Sequence, residues 1–121
     1  EMRYDAVPGV VYTNPEVAGV GLTEEQAEKS GMCYAVAKLP MVFSGRFVAE
    51  NEGANGLCKV IYDPDKRTVL GVHMLGNPCS EMIFGASMAI TQGMTIAELQ
   101  RVIFPHPTVS EILKETLFTI H

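Results

Sequence analysis

The chain has 121 residues, 47% hydrophobic and 19% charged, with nine Lys and Arg against fourteen Asp and Glu for a net charge of -5. That length holds one packed core and not two full domains, so residues 1–121 read as a single domain. The acidic balance argues against nucleic acid as a partner, and the longest nearly uncharged apolar stretch, Met82 to Ile90, falls short of the ~20 residues of a membrane-spanning helix.

In chain order, Val10 to Thr13 and Val17 to Leu22 are β-branched runs around the turn signal Asn14-Pro15. They read as one bent or interrupted strand at a sheet edge. Thr23-Glu24-Glu25-Gln26 has the form of a capping box, and Gly31 marks the stop of a helix of about two turns. Cys33 to Leu39 alternates as a strand, and Phe43, Phe47 and Val48 between Pro40 and Asn51 predict a short helix. Leu57 to Tyr62 and Val69 to Leu75, joined by Asp63-Pro64-Asp65-Lys66-Arg67, predict an antiparallel hairpin. From Asn77 the period becomes helical, with Asn77 as N-cap, Pro78 at the first position, and Met82, Ile83, Ala86, Ala89 and Ile90 on one face. Thr95-x-x-Glu98 and Thr108-x-x-Glu111 open two further helices. The sum is an α+β domain, an antiparallel sheet of about four to five strands covered by helices.

The helix from Pro78 to Met94 carries almost no charge besides Glu81, and Phe84 and Met88 lie off its main apolar stripe. A helix that is apolar all round is buried all round, while one sheet covers only one side of it. The pattern leaves two coverings for the far side, another chain or domain, or the C-terminal helices of this one.

Candidate chemistry concentrates in Phe104-Pro105-His106-Pro107-Thr108-Val109-Ser110-Glu111. Prolines on both sides hold His106 in place, and an imidazole with an ordinary pKa near ~6.5 suits proton transfer at neutral pH. Glu111 is positioned to orient it, although Thr108-x-x-Glu111 is also a capping box and the same form recurs at Thr23 and Thr95 with no histidine beside it. No serine nucleophile elbow, zinc-protease motif, dinucleotide fingerprint or P-loop is present. His73 within a strand and His121 at the terminus read as silent, and Cys79 in the first turn of a helix reads as a buried, inert thiol. Cys33, Cys58 and Cys79, odd in number and without a C-x-x-C pair, suggest neither a disulfide framework nor a metal site. With no signal or transit pattern at the N-terminus the expected location is cytoplasmic. A start that reads Glu1-Met2 suggests a piece of a longer protein.

Three ordered motifs carry a resemblance: Val11-Tyr12-Thr13-Asn14-Pro15-Glu16-Val17-Ala18-Gly19-Val20-Gly21-Leu22-Thr23, then Gly71-Val72-His73-Met74-Leu75-Gly76, then His106-Pro107-Thr108-Val109-Ser110-Glu111. Together they resemble the C-terminal dimerisation domain of the flavin-dependent, pyridine nucleotide-disulfide oxidoreductase family, nearest to its lipoamide-acting branch. The resemblance implies a homodimer in which this domain supplies the main subunit contact and completes the partner's active site. It implies that His106 is the acid/base at the dithiol substrate, that Glu111 orients it, and that the His106-Pro107 peptide is cis with the backbone there meeting the flavin of the opposite subunit. It also implies FAD and NAD held by other domains of a parent chain, and lipoamide presented by an acyltransferase partner. The family's redox cysteine pair and Gly-rich nucleotide loop are missing, so no cofactor is expected to bind this chain alone and no turnover is expected from it. Glu111 is followed by Ile112, unlike the H-P-T-x-x-E-E of the glutathione-type branch, and the C-terminal cysteine pair of the mercuric type is not found here. Other readings stay open: one of those branches, a stand-alone enzyme using His106 and Glu111, or a purely structural interaction module.

Overall fold

The computed structural model describes residues 1–121. Five antiparallel strands form one sheet in the order β1-β2-β5-β4-β3, comprising β1 (Gly9–Val11), β2 (Val17–Gly21), β3 (Ala35–Pro40), β4 (Leu57–Tyr62) and β5 (Val69–Leu75). Five helices accompany them: α1 (Glu24–Ser30), α2 (Gly45–Glu50), α3 (Cys79–Thr91), α4 (Ile96–Gln100) and α5 (Glu111–Phe118). Two single 3-10 turns lie at Tyr4–Ala6 and Met41–Phe43. The α+β expectation, with its antiparallel sheet and helical cover, therefore holds. No helix is long and apolar enough to cross a membrane.

Register places the core. Ala18, Met74, Cys58 and Leu39 stand abreast in one row, and Val20, Val72, Val60 and Ala37 in a second row two residues along. Side chains alternate between faces with period two, so both rows point the same way, towards α3 over β2 and β5 and towards α5 over β3 and β4. Met82, Ile83, Ala86, Ala89 and Ile90 of α3 and Ile112, Leu113 and Leu117 of α5 close the core from above. The intervening row, Gly19, His73, Lys59 and Lys38, faces the other side. There Lys59 pairs with Glu24 of α1 at 2.8 Å.

Local chemistry accounts for the helix ends. Thr23 and Gln26, and again Thr95 and Glu98, form the reciprocal capping boxes read from the sequence, and Gly31 closes α1 with a left-handed φ of 73°. The β4–β5 hairpin forms as expected. Asp63 Oδ1 accepts from the backbone N–H groups of Asp65 and Lys66 at 2.8 and 2.9 Å and fixes the turn.

Three local expectations are corrected. The segment around Asn14-Pro15 is a hairpin and not a bent strand: β1 and β2 pair antiparallel, Val11 opposite Val17, across a cis Asn14-Pro15 peptide. Asn77 does not cap α3; Pro78 holds the N-cap position, and Asn77 Oδ1 instead accepts from Glu16 N at 2.9 Å. The free N–H at the start of α3 is met from a distance by the Glu16 carboxylate, which accepts from the Ser80 N–H at 3.3 Å and from its hydroxyl at 2.9 Å. At α5, Ser110 is the N-cap and makes no side-chain cap, while the Thr108 hydroxyl donates to the Pro105 carbonyl. Only the Glu111 half of that capping box exists.

His73 is structural, as expected. Its Nε2 lies 2.9 Å from the Leu22 carbonyl, an acceptor, so Nε2 carries the proton. The same crowding fixes two glycines: a Cβ on Gly19 would lie 2.4 Å from His73 Nδ1, and one on Gly71 would lie 2.0 Å from the Leu22 carbonyl oxygen. Gly71→Ala is therefore expected to lower stability by on the order of 1–3 kcal/mol, the range for overpacking. Gly9→Ala, whose Cβ meets nothing, should leave the thermal midpoint nearly unchanged. Equal midpoints for the two variants would contradict the packing described.

Candidate active-site edge

The segment between α4 and α5 has no regular structure and ends on the buried first turns of α5. Ile112 and Leu113 anchor that turn in the core, which fixes Glu111, the first residue of the helix, at the surface edge. His106 is 81% exposed at its side chain, whereas Glu111 is 15% exposed. Glu111 Oε1 lies 2.8 Å and Oε2 3.0 Å from His106 Nδ1, and Oε1 also accepts from the Thr108 N–H at 2.9 Å. One carboxylate thus both meets the Thr108 N–H and orients the imidazole. The His106-Pro107 peptide is cis, as are Asn14-Pro15 and Asn77-Pro78.

This geometry dictates a protonation pattern. A carboxylate only accepts, so Nδ1 of His106 carries a proton and, in the neutral ring, Nε2 keeps a bare lone pair. The Thr108 N–H, and then the His106 contact, hold the Glu111 carboxyl below the usual carboxylate range, against the opposing effect of desolvation. A depressed folded-state value means that the stabilisation is present above the ordinary carboxylate pKa and is lost as acid brings the pH down through the lowered one. Around the ring, Phe43, Ser44, Gly45, Arg46, Pro107 and Glu115 complete the walls of a cleft of about 380 Å³. No backbone donor in the chain reaches the His106 carbonyl oxygen.

The other singled-out residues lie elsewhere. Cys79 and Cys58 are fully buried, and Cys33 is exposed. Burial pushes the Cys58 thiol up to about 11 despite a hydrogen bond with Thr116. Burial first, and then the nearby Glu16 carboxylate, raise Cys79. Both are poor nucleophiles. No group of three or more His, Cys, Asp or Glu is arranged to hold a metal ion. On α3, Phe84 is 69% and Met88 53% exposed, so the C-terminal helices do not cover that side. Beside it an apolar cavity of about 350 Å³, lined by Met82, Gly85, Met88, Met94 and Leu113 among others, reaches Phe104 and Ser110 on either side of the histidine segment.

Two contributions left no signal in the sequence, the Glu16 cap of α3 and the reach of Ser44 to Thr108, because in each case the partner is 64 residues away. For the pair itself, ¹⁵N NMR at alkaline pH is expected to find His106 in the Nδ1–H tautomer, with that preference lost in Glu111→Ala. An Nε2–H ring in the unmodified chain would contradict the geometry.

Comparison with known proteins places this arrangement in a family. Residues 7–117 match the family described as pyridine nucleotide-disulphide oxidoreductase, dimerisation domain. The chain is 46% identical over 112 residues to dihydrolipoyl dehydrogenase 1, mitochondrial, of Arabidopsis thaliana, covering 93% of this chain and 22% of that protein. It is 46% identical over 115 residues to dihydrolipoyl dehydrogenase of Thermus scotoductus, covering 95% of this chain and 25% of that protein. Among solved structures, the HOCl-induced flavoprotein disulfide reductase RclA of Escherichia coli superposes with a TM-score of 0.88 at 32% identity, covering 95% of this chain and 26% of that one. The chain therefore spans about a quarter of the length of the relatives it matches. With the sheet, the three motifs and the matched residues in agreement, the chain belongs to the dimerisation-domain family of the pyridine nucleotide-disulphide oxidoreductases.

Proposed function

We propose that this chain is the subunit-contact part of a flavin-dependent dihydrolipoamide dehydrogenase, oxidising dihydrolipoamide with NAD, and that His106 and Glu111 serve the active site of the partner subunit. The observation that carries the reading is an imidazole oriented by a buried-edge carboxylate, with Nε2 turned to solvent and no reacting group of this chain beside it. Such a ring is half of a site. The names of the relatives supply the substrate class, and the exposed Phe84 and Met88 face of α3 supplies a surface for the second copy.

The chemistry fits the groups. Thiolate, not thiol, attacks a disulfide, and at neutral pH an ordinary thiol with a pKa near ~8.5 is only a few per cent ionised. The bare Nε2 of His106 would take the proton from a dithiol sulfur as that sulfur attacks the disulfide, and would give it to the sulfur that leaves. Glu111 accepts from Nδ1–H throughout, which keeps the lone pair on Nε2 and stabilises the imidazolium while it carries the proton. FAD, when bound by the other domains, supplies the two-electron acceptor between the dithiol and NAD. This chain has no Gly-rich loop for either nucleotide. What it offers a flavin is the His106 carbonyl, a backbone acceptor without a donor inside the chain. The lipoamide would arrive on an acyltransferase partner. This chain alone would not turn over.

In the full-length protein, His106→Gln is expected to lower kcat by ~100-fold or more, the scale of general acid–base catalysis, with dihydrolipoamide preferred over glutathione. An unchanged rate would leave a purely structural module, and turnover of glutathione disulfide instead would move the chain to another branch. For the contact surface, sedimentation of this chain over a concentration series should show a dimer that Phe84→Glu with Met88→Lys dissociates. A dimer indifferent to both changes would remove α3 from the interface.

A further inference from the structure

The loop that carries His106 is tied down almost entirely by itself. Among residues 102–110, the backbone and side-chain hydrogen bonds run to partners between Leu99 and Leu113, with one exception. That exception is the Ser44 hydroxyl, which donates to the Thr108 carbonyl at 3.1 Å. Ser44 is 2% exposed and is one of only two buried polar residues in the chain, the other being Thr116 on α5.

Ser44 stands on firm ground. Its N–H donates to the Met41 carbonyl at 2.9 Å, and its Oγ accepts from the Phe47 N–H at 3.3 Å as the N-cap of α2. Met41 and Phe47 are both in the core. The other end of α2 is braced too, because Asn51 Nδ2 donates to the carbonyls of Phe47 and Asn77. Asn77 is joined in turn to Glu16 and Asn14. The short helix is a strut between the start of α3 and the histidine loop, and its hydroxyl end meets the loop at Thr108. The N–H of that same residue is the donor to Glu111 Oε1.

We propose that Ser44 is a positioning residue for the His106–Glu111 pair: its hydroxyl fixes the Thr108 backbone so that the Thr108 N–H meets the Glu111 carboxylate, which then orients the imidazole. The structural part stands on the hydrogen bonds alone; its consequence for catalysis rests on the function proposed above. Capping and tethering are separable, since glycine is tolerated at an N-cap nearly as well as serine but has no hydroxyl. Threonine keeps the hydroxyl, and the extended backbone at Ser44, with φ at -94° and ψ at 113°, admits it.

The test compares Ser44→Gly, Ser44→Ala and Ser44→Thr in this chain by ¹³C NMR titration of the Glu111 carboxyl. His106 and Lys114 are the charged or titratable groups that act on that carboxyl, and Arg46 and Glu115 share its cleft; all four are retained in every variant. Loss of the tether is expected to move the Glu111 titration up towards the ordinary carboxylate range in Ser44→Gly and Ser44→Ala, and Ser44→Thr is expected to restore it. A Glu111 titration unchanged by Ser44→Gly, with only the thermal midpoint falling, overturns the proposal and leaves Ser44 a cap. Where the glycine and alanine variants fail to fold, hydrogen exchange of the unmodified chain decides: a protected Thr108 amide supports the scheme, and a freely exchanging one overturns it. In the full-length protein, Ser44→Gly is expected to lower kcat on the order of 10-fold with little change in KM, as loosened positioning does. If the NMR shift appears while neither Ser44→Gly nor His106→Gln changes turnover, the function reading fails and the tether stands. A loss in His106→Gln with no NMR shift in any Ser44 variant does the reverse.

Discussion

Two abreast rows of apolar side chains, Ala18–Met74–Cys58–Leu39 and Val20–Val72–Val60–Ala37, face α3 and α5 from one side of the sheet. A slip of one residue in any strand would turn its apolar set outward, so their burial sets the register of every pairing. The helices can then lie only where those rows need covering. Because α5 is held through Ile112, Leu113 and Leu117, its first residue comes to the edge of the core. Glu111 is that residue, and the position of the His106–Glu111 pair follows from hydrophobic burial rather than from any interaction of its own.

The contrast between the two members of the pair is informative. Glu111 is mostly covered and has two donors, while His106 has one partner and a ring open to solvent. A stand-alone enzyme would be expected to surround such a base with the groups it acts on. Here the cleft beside it holds Phe43, Arg46 and Glu115, and its one hydroxyl, that of buried Ser44, is engaged by the Thr108 carbonyl and the Phe47 N–H. The apolar cavity joins the uncovered side of α3 at Met88 to Phe104 and Ser110, which flank the histidine segment. An exposed apolar surface and an oriented imidazole therefore lie near one another on the domain, which is what the proposed sharing of a site between subunits requires.

Much of the fold was legible in the sequence because it is decided locally. Both capping boxes, the β4–β5 hairpin and the buried stripe of α3 depend on residues within one or two turns of each other. The errors fell where local signals met distant partners. Asn77-Pro78 has the pattern of a cap followed by a first-turn proline, yet Asn77 is drawn into the contact with Glu16, and the cap of α3 comes from the β2 side of the molecule. Thr108 has the pattern of a capping threonine, yet its hydroxyl turns back to Pro105. The Asn14-Pro15 break was visible, but that the chain doubles back there, with Val11 opposite Val17, is seen only in the pairing of β1 with β2.

The sequence alone determined that His106 is held between prolines with a carboxylate five residues on, that three ordered motifs point to one family, and that α3 carries more apolar surface than a single sheet can cover. Each of these is a matter of residue type at short spacing. Only the tertiary structure decided that Glu111 serves Thr108 and His106 at once, that the far side of α3 stays open, and that Ser44 reaches the histidine loop. The first depends on how the loop from Pro105 enters α5, and the other two on elements brought together across tens of residues by the burial of the two apolar rows, a distance that no local pattern encodes.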